Sequence, residues 1–322
     1  MAGVSETRTY DSLLTTTLAN YSGQLADNIF DEYPLLSWFN GKLAKAMRNE
    51  KNKRVLDGGE TIVEHLLYEL SSAVKSYSGY ENLDLTPQEG MTIARYSWRQ
   101  YAISVAISGL ERRSNSGEAK MLDLWKGKIK QAEQTLRDRM SRDFYGSNSD
   151  GKSVDGLGII VDSTGTCGGL SAATYTWWAS TETASGSFAA QGLKDMRTLF
   201  NTLSWGNNSP DGLFTTQSVF EFFETALQPQ ERYVNETAAN SGFSNLRFKN
   251  VPLFFDRDCT SGVLFMLNSK NIKWSVHKDA DFATTAAVTP NDQDATTSLI
   301  LVQGNLTTDE RRKHGKLTGI TA

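Results

Sequence analysis

Residues Gly117–Tyr145 read GEAKMLDLWKGKIKQAEQTLRDRMSRDFY, and the spacing within them decides the fold. Apolar residues recur at Leu122, Trp125, Ile129, Ala132, Leu136, Met140 and Phe144, in steps of three and four. That period draws one stripe along an α-helix and leaves Lys126, Lys128, Lys130, Glu133, Arg137 and Arg142 mostly off it. Asn115 or Ser116 caps the start, Glu118 lies in the electropositive first turn, and Gly146 ends the run. At ~1.5 Å per residue, about thirty residues make a rod of about 45 Å, longer than a small domain needs. Gly127 is its weak point, at a cost of ~1 kcal/mol in an exposed helix interior. This helix is the spine of the molecule.

Upstream of the spine, residues 93–108 are long, aromatic and β-branched. Tyr101, Ile103, Val105 and Ile107 alternate with Ala102, Ser104, Ala106 and Ser108, which is the period of a strand. Residues 60–70 (ETIVEHLLYEL) form a second strand-like run. The stretch between them carries Gly79, Pro87 and Gly90 and too few apolar residues for a core. Residues 58–109 therefore read as one long two-stranded arm with an irregular tip. Such a ribbon is marginal alone in water, so it needs something to lie on, and Tyr77 and Tyr80 at the tip point to a neighbouring subunit.

Further toward the N-terminus, Leu14, Leu18, Tyr21, Leu25 and Ile29 predict a helix from Asp11 to near Tyr33-Pro34. Lys42, Lys45, Arg48, Lys51, Lys53 and Arg54 then form the most basic part of the chain. They read either as a solvated arm or as a surface that touches phosphate or an acidic partner. Downstream of the spine, residues 154–190 are rich in Gly, Thr and Ser and read as short strands and turns. Helices are expected over Ala190–Leu203 and from Gln217 to Ala226, the second stopping before Pro229. Val251–Phe255, Val263–Leu267, Ile272–Val276 and Leu299–Gln303 read as strands. Segments 93–109 and 270–320 are placed to pair beside the spine, with 150–260 as a separate lobe.

The whole chain has 322 residues and a net charge of −4, from 33 basic and 37 acidic side chains. That balance argues against nucleic-acid binding driven by global charge. Cys167 and Cys259 match no zinc or redox spacing and read as buried free thiols. No apolar run approaches the ~18 residues of a membrane span.

Motifs for chemistry are few. Gly146-Ser-Asn-Ser-Asp-Gly151-Lys152-Ser153 satisfies the phosphate-loop expression, and Val251–Asp256 supplies an apolar run ending in an acid. The context fails. A phosphate loop follows a strand and opens a helix, whereas here a helix precedes it and Asp150 puts negative charge in the cradle. A nucleotide hydrolase using Lys152, Ser153 and Asp256 stays as one alternative. A carbohydrate- or surface-binding module using Tyr175, Trp177 and Trp178 is another. His65, His277 and His314 form no metal pair or triad, and no cofactor or metal is expected.

Asp11–Phe39, Tyr77-Ser-Gly-Tyr80 through Leu83-Asp84, Tyr96-x-Trp98 through Ser108-Gly109, and Gly156-Leu-Gly-Ile-Ile with Gly168-Gly169 resemble tailed-bacteriophage major capsid proteins. So do the spine, Tyr175 and Trp177-Trp178. The resemblance implies the α+β Hong Kong 97-like fold: an N-terminal arm (1–57), an extended loop (58–109), a peripheral domain with the spine helix (110–149 and 266–322) and an axial domain (150–265). It implies a non-enzymatic shell protein of a virion, assembled in the bacterial cytoplasm. The partners implied are copies of itself in hexamers and pentamers, a portal, a decoration protein and packaged dsDNA held non-specifically. Basic residues 42–54 would offset the acidic inner wall toward that DNA. Ahead of Asp11 there is no room for the helical scaffolding segment that some members carry, so a separate scaffolding protein is expected. Inter-subunit contact is expected at Tyr77, Gly79, Tyr80, Leu83, Asp84 and Leu85, with Lys75 the lysine placed for a covalent cross-link.

Overall fold

The computed structural model describes residues 33–39, 52–83, 85–87, 89–114, 124–206, 208–231 and 246–322. The helix expected from Asp11, the basic residues Lys42, Lys45, Arg48 and Lys51, the first turns of the spine and Asp84 lie outside them. The described elements begin with helix α1 (Pro34–Phe39), strands β1 (Lys53–Leu56), β2 (Thr61–Leu67), β3 (Met91–Ser97) and β4 (Arg99–Ser108). Helices α2 (Gly109–Ser114), α3 (Leu124–Tyr145) and α4 (Leu157–Ile160) follow, then strands β5 (Thr166–Cys167), β6 (Leu170–Ser171) and β7 (Thr181–Ala184). Helix α5 (Leu193–Leu203), strand β8 (Gly212–Thr215) and helix α6 (Gln217–Glu231) come next. Strands β9 (Arg247–Phe248), β10 (Val251–Phe255), β11 (Leu264–Leu267), β12 (Ile272–His277), β13 (Ala283–Thr284), β14 (Ala295–Thr308) and β15 (Gly315–Thr318) complete the chain. It divides into two compact units, one holding described residues of 33–100, 140–278 and 303–322, the other those of 101–139 and 279–302.

In the larger unit a six-stranded sheet runs in the order β7-β15-β11-β8-β10-β9. Its middle strands, β8 and β11, are buried at every residue, as their unbroken apolar runs require. Leu199 and Leu203 of α5, and Val219 and Phe223 of α6, share one core with Leu213, Leu264 and Leu317 of the sheet. A second cluster is aromatic. Phe144, on the last turn of the spine helix, lies 5.7 Å from Phe39 of α1 and 5.0 Å from Trp274 of β12, ring centre to ring centre. Trp38 packs edge-on against Phe214 at 5.5 Å. Edge contacts of this kind add specificity to the area that the rings bury.

The smaller unit holds most of the spine. Ala132 and Leu136, then Met140 and Phe144 beyond the unit boundary, are buried at every fourth position, which is the stripe the sequence predicts. Short helix α2 opens with a capping box, in which Ser108 Oγ accepts from Glu111 N–H at 3.2 Å and Glu111 Oε2 accepts from Ser108 N–H at 3.1 Å. Lys128 of the spine donates to the same carboxylate at 3.0 Å. β4 pairs with β14, the pairing expected of the segments that flank the spine.

Several elements depart from their expected form. The run 93–108 is two strands, because Trp98 turns aside to donate its indole N–H to Gly59 O at 2.8 Å, and Asn305 Nδ2 takes Ser97 O at 2.9 Å. Only β2 and β3 form the ribbon, in register from Thr61↔Ser97 to Leu67↔Met91. Lys53 and Arg54 belong to β1, paired in parallel with β12. The sheet of the central lobe takes in β15 from the end of the chain, between β7 and β11. Helix α6 runs past Pro229 to Glu231, where so near its end the missing N–H costs a single bond.

Candidate assembly surface

The ribbon has an anchored root and an exposed tip. On its inner face Ile62, Glu64 and Leu66 of β2 pair with Tyr96, Ala94 and Thr92 of β3. All but Thr92 are buried. The Tyr96 hydroxyl donates to Thr308 O at 2.9 Å. Glu64 Oε1 accepts from Thr307 Oγ1 at 3.1 Å and from Arg54 at 2.7 Å. Burial drives the Tyr96 phenol well above its ordinary pKa, with neighbouring Cys167 adding to the effect. Gly168 lies directly beneath: a Cβ there would sit 2.7 Å from Ala94 Cβ, at a φ of +59°. Its carbonyl accepts Arg95 N–H at 2.9 Å. This is the physical content of the Gly168-Gly169 pair, which turns the β5–β6 hairpin against the ribbon.

The tip, residues 68–90, is exposed at nearly every described position. Tyr77, Tyr80, Leu83 and Leu85 present their side chains to solvent, with Leu85 89% exposed. Gly79 takes a φ of +59° with open space where a Cβ would go, so it serves a turn rather than a contact. Lys75 forms an ion pair with Glu81 at 2.9 Å and donates to Asn82 O at 3.4 Å. Where tip meets root, Tyr68 N–H donates to Gly90 O at 2.9 Å and its hydroxyl to Glu89 O at 3.0 Å. The Tyr68 ring stacks on Trp177 at 5.2 Å and 17°.

That stack draws Trp177, one of the three aromatics weighed for carbohydrate, into the structure. Trp178 is buried and donates its indole N–H to Cys167 O at 3.0 Å, which leaves Tyr175 the exposed member. The phosphate-loop residues are occupied as well. Asp150 Oδ1 accepts Lys152 N–H at 3.0 Å and Ser153 N–H at 2.9 Å, and the Ser153 hydroxyl reaches both of its oxygens at 2.7 Å. The amides that would cradle a phosphate already hold a carboxylate. Gly156 lets this loop close over the end of the spine, since a Cβ there would meet Asp143 O and Gly146 O at 2.4 Å. Asp256 is buried, accepting Tyr145 Oη at 3.1 Å and Leu35 N–H at 3.5 Å; burial raises its pKa.

Both cysteines are buried free thiols. Burial pushes Cys167 up to about 11, and Cys259 higher, so neither is a thiolate at neutral pH. The run Arg311-Arg312-Lys313-His314 hides two of its four charges. Arg311 is fully buried and donates to the carbonyls of Ile159, Ile160, Asp162 and Gly165 at 2.8–3.0 Å. His314 is equally buried: Nδ1 accepts Asn268 N–H at 3.2 Å, and Nε2 faces Thr308 Oγ1 at 3.3 Å. Thr308 Oγ1 gives its own proton to Asn271 O, which leaves the His314 Nε2–H as donor and the ring neutral. Burial depresses its pKa to about 4. Among the described residues no group of His, Cys, Asp and Glu is arranged to hold a metal, and no helix is long and apolar enough to cross a membrane.

Reasoning from sequence overlooked the outward face of the root. There Val63, His65 and Leu67 pair with Arg95, Ile93 and Met91, and Leu67 and Met91 are 68% and 82% exposed. The signal was present: the run 60–70 is apolar at both parities, where a ribbon with one wet face alternates.

No family model and no curated protein matches the chain. Solved structures do match. The capsid asymmetric unit of cyanophage A-1(L) is 15% identical with a TM-score of 0.64, the match covering 93% of this chain and 96% of that one. The capsid of Myoviridae phage XM1 is 12% identical with a TM-score of 0.56, covering 94% and 98%. A cargo-loaded SrpI encapsulin complex from Synechococcus elongatus is 10% identical with a TM-score of 0.55, covering 94% and 95%. The chain has the α+β fold of tailed-phage capsid subunits, the Hong Kong 97-like fold.

Proposed function

We propose that the chain is the major capsid protein of a tailed dsDNA bacteriophage, a non-enzymatic subunit that assembles into the pentamers and hexamers of an icosahedral shell. One observation carries the reading. A chain that matches capsid subunits end to end carries a two-stranded ribbon whose tip exposes tyrosines and leucines that a monomer would bury. The four-part organisation implied by the family follows: arm 1–57, extended loop 58–109, peripheral domain 110–149 with 266–322, and axial domain 150–265. Tyr77, Tyr80, Leu83, Asp84 and Leu85 are its inter-subunit contacts at the loop tip. A separate scaffolding protein, a portal, a decoration protein and packaged dsDNA are its partners, in a virion assembled in the host cytoplasm.

An encapsulin shares the fold, so particle contents separate a virus shell from a protein compartment. The higher TM-score of the cyanophage capsid, 0.64 against 0.55, favours the virus. The test is to purify particles from infected cells and digest them with nuclease. Closed shells of this chain that protect dsDNA support the proposal; shells filled with a protein cargo and no DNA contradict it.

A further inference from the structure

The outer face of the ribbon root is apolar where it should meet water. An antiparallel pair covered on one side by its own chain carries polar residues on the other. Here the inner face is filled by Ile62, Leu66, Ala94 and Tyr96. The outer face nevertheless holds Val63, Leu67, Met91 and Ile93 around His65 and Arg95, with no carboxylate among its paired residues. A marginal ribbon gains little by exposing that strip, and the strip has the composition of an interface: an apolar centre with an arginine.

We infer that this face is the seat for the tip of a second copy's ribbon. The tip has the matching chemistry. Residues 68–90 contain Glu69, Glu81, Asp84 and Glu89 against Lys75 alone, a net −3 by count of those five side chains. Its exposed side chains are tyrosines and leucines. Acidic and aromatic at the tip, basic and aliphatic at the root, the two ends of one ribbon are complementary to each other. They cannot meet within a chain. Seven residue pairs separate them, about 23 Å of strand at ~3.3 Å per residue. Root against root is disfavoured as well, since an isologous pairing brings Arg95 and His65 onto like charges. Tip on root is a head-to-tail contact between different patches, the kind that closes into rings.

The inference rests on the shell reading and supplies its acceptor. Its test is a disulfide trap in full-length shells carrying both His65→Cys and Tyr80→Cys. The native Cys167 and Cys259 are buried and add no links. On oxidation, the expected result in denaturing non-reducing gels is loss of the monomer band into a ladder that ends at pentamer and hexamer, with each single variant left monomeric. Should the double variant fail to assemble, a photoreactive residue in place of Tyr80 alone gives the same information, the linked peptide being read by mass spectrometry. Adducts within 61–67 or 91–97 support the seat. Intact shells that give no ladder, or adducts confined to another segment, overturn it and leave the shell reading standing. A chain that forms no particles at all overturns both.

Discussion

The six-stranded sheet and the two-stranded ribbon are made from similar residues and resolve them differently. In the sheet, Leu213, Leu264 and Leu317 meet α5 and α6, and every apolar strand face finds cover within the chain. In the ribbon, Ile62, Leu66 and Tyr96 find cover, but Leu67, Met91, Tyr80 and Leu85 do not. Burial of apolar surface drives both folding and association, at roughly 25 cal/mol per Å². A residue that the chain leaves uncovered contributes nothing to the fold and is available for a second copy. The comparison therefore separates residues that hold the subunit together from residues that hold subunits to one another.

Substitutions break or sharpen that division, and their effects on subunit stability rank as follows. Arg311→Met is expected to be the most damaging, at about 4 kcal/mol or outright loss of soluble protein, because four buried carbonyls lose their donor at once. Solubility and urea midpoints of the purified chain measure it. Leu264→Ala, at a fully buried position between β8 and β15, should cost about 3 kcal/mol. Its urea midpoint should fall with an unchanged slope.

His314 adds a pH dependence. Its folded pKa, about 4, lies below the ordinary 6.5, so between these values the unfolded chain binds the extra proton. Stability then falls as pH drops from 6.5 toward 4, by about 2 kcal/mol between pH 7 and pH 5. His314→Gln should lose less stability than the parent over that interval, as read from paired urea titrations. Tyr80→Ala stands at the other extreme. Its effect on the subunit's melting should stay within ~0.5 kcal/mol, while the yield of sedimenting particles drops. A Tyr80→Ala chain that melts early would move the tip to the folding side of the division.

Much of this was legible in the sequence because it rests on local periodicity. The stripe at Ala132, Leu136, Met140 and Phe144 marked the spine, and the strands at 251–255, 264–267 and 272–277 fell where their apolar runs lie. Asp150 in the cradle was enough to set aside the phosphate loop, and its carboxylate does occupy those amides. What escaped depends on distant partners. Arg311 and His314 read as part of a solvated basic run, yet the carbonyls of 159–165 and the amide of Asn268 draw them into the interior. Lys53 and Arg54 read as arm, yet β12 and Glu64 hold them. Trp98 read as mid-strand, and only the carbonyl of Gly59 explains why the strand breaks there. For the assembly surface, the exposed tip at Tyr77, Tyr80, Leu83 and Leu85 followed from composition. The outer face of the root did not, because choosing between its two apolar parities requires knowing which one the chain itself covers.

The most direct measurement compares the full-length chain with a variant in which residues 69–89 are replaced by a short turn, both examined by sedimentation and electron microscopy. The intact chain is expected to form closed shells, and the shortened one to remain as monomers with the same melting temperature. Shells formed equally well without the tip, or an intact chain that stays monomeric alongside a scaffolding protein, would contradict the division between folding and assembly surfaces drawn above.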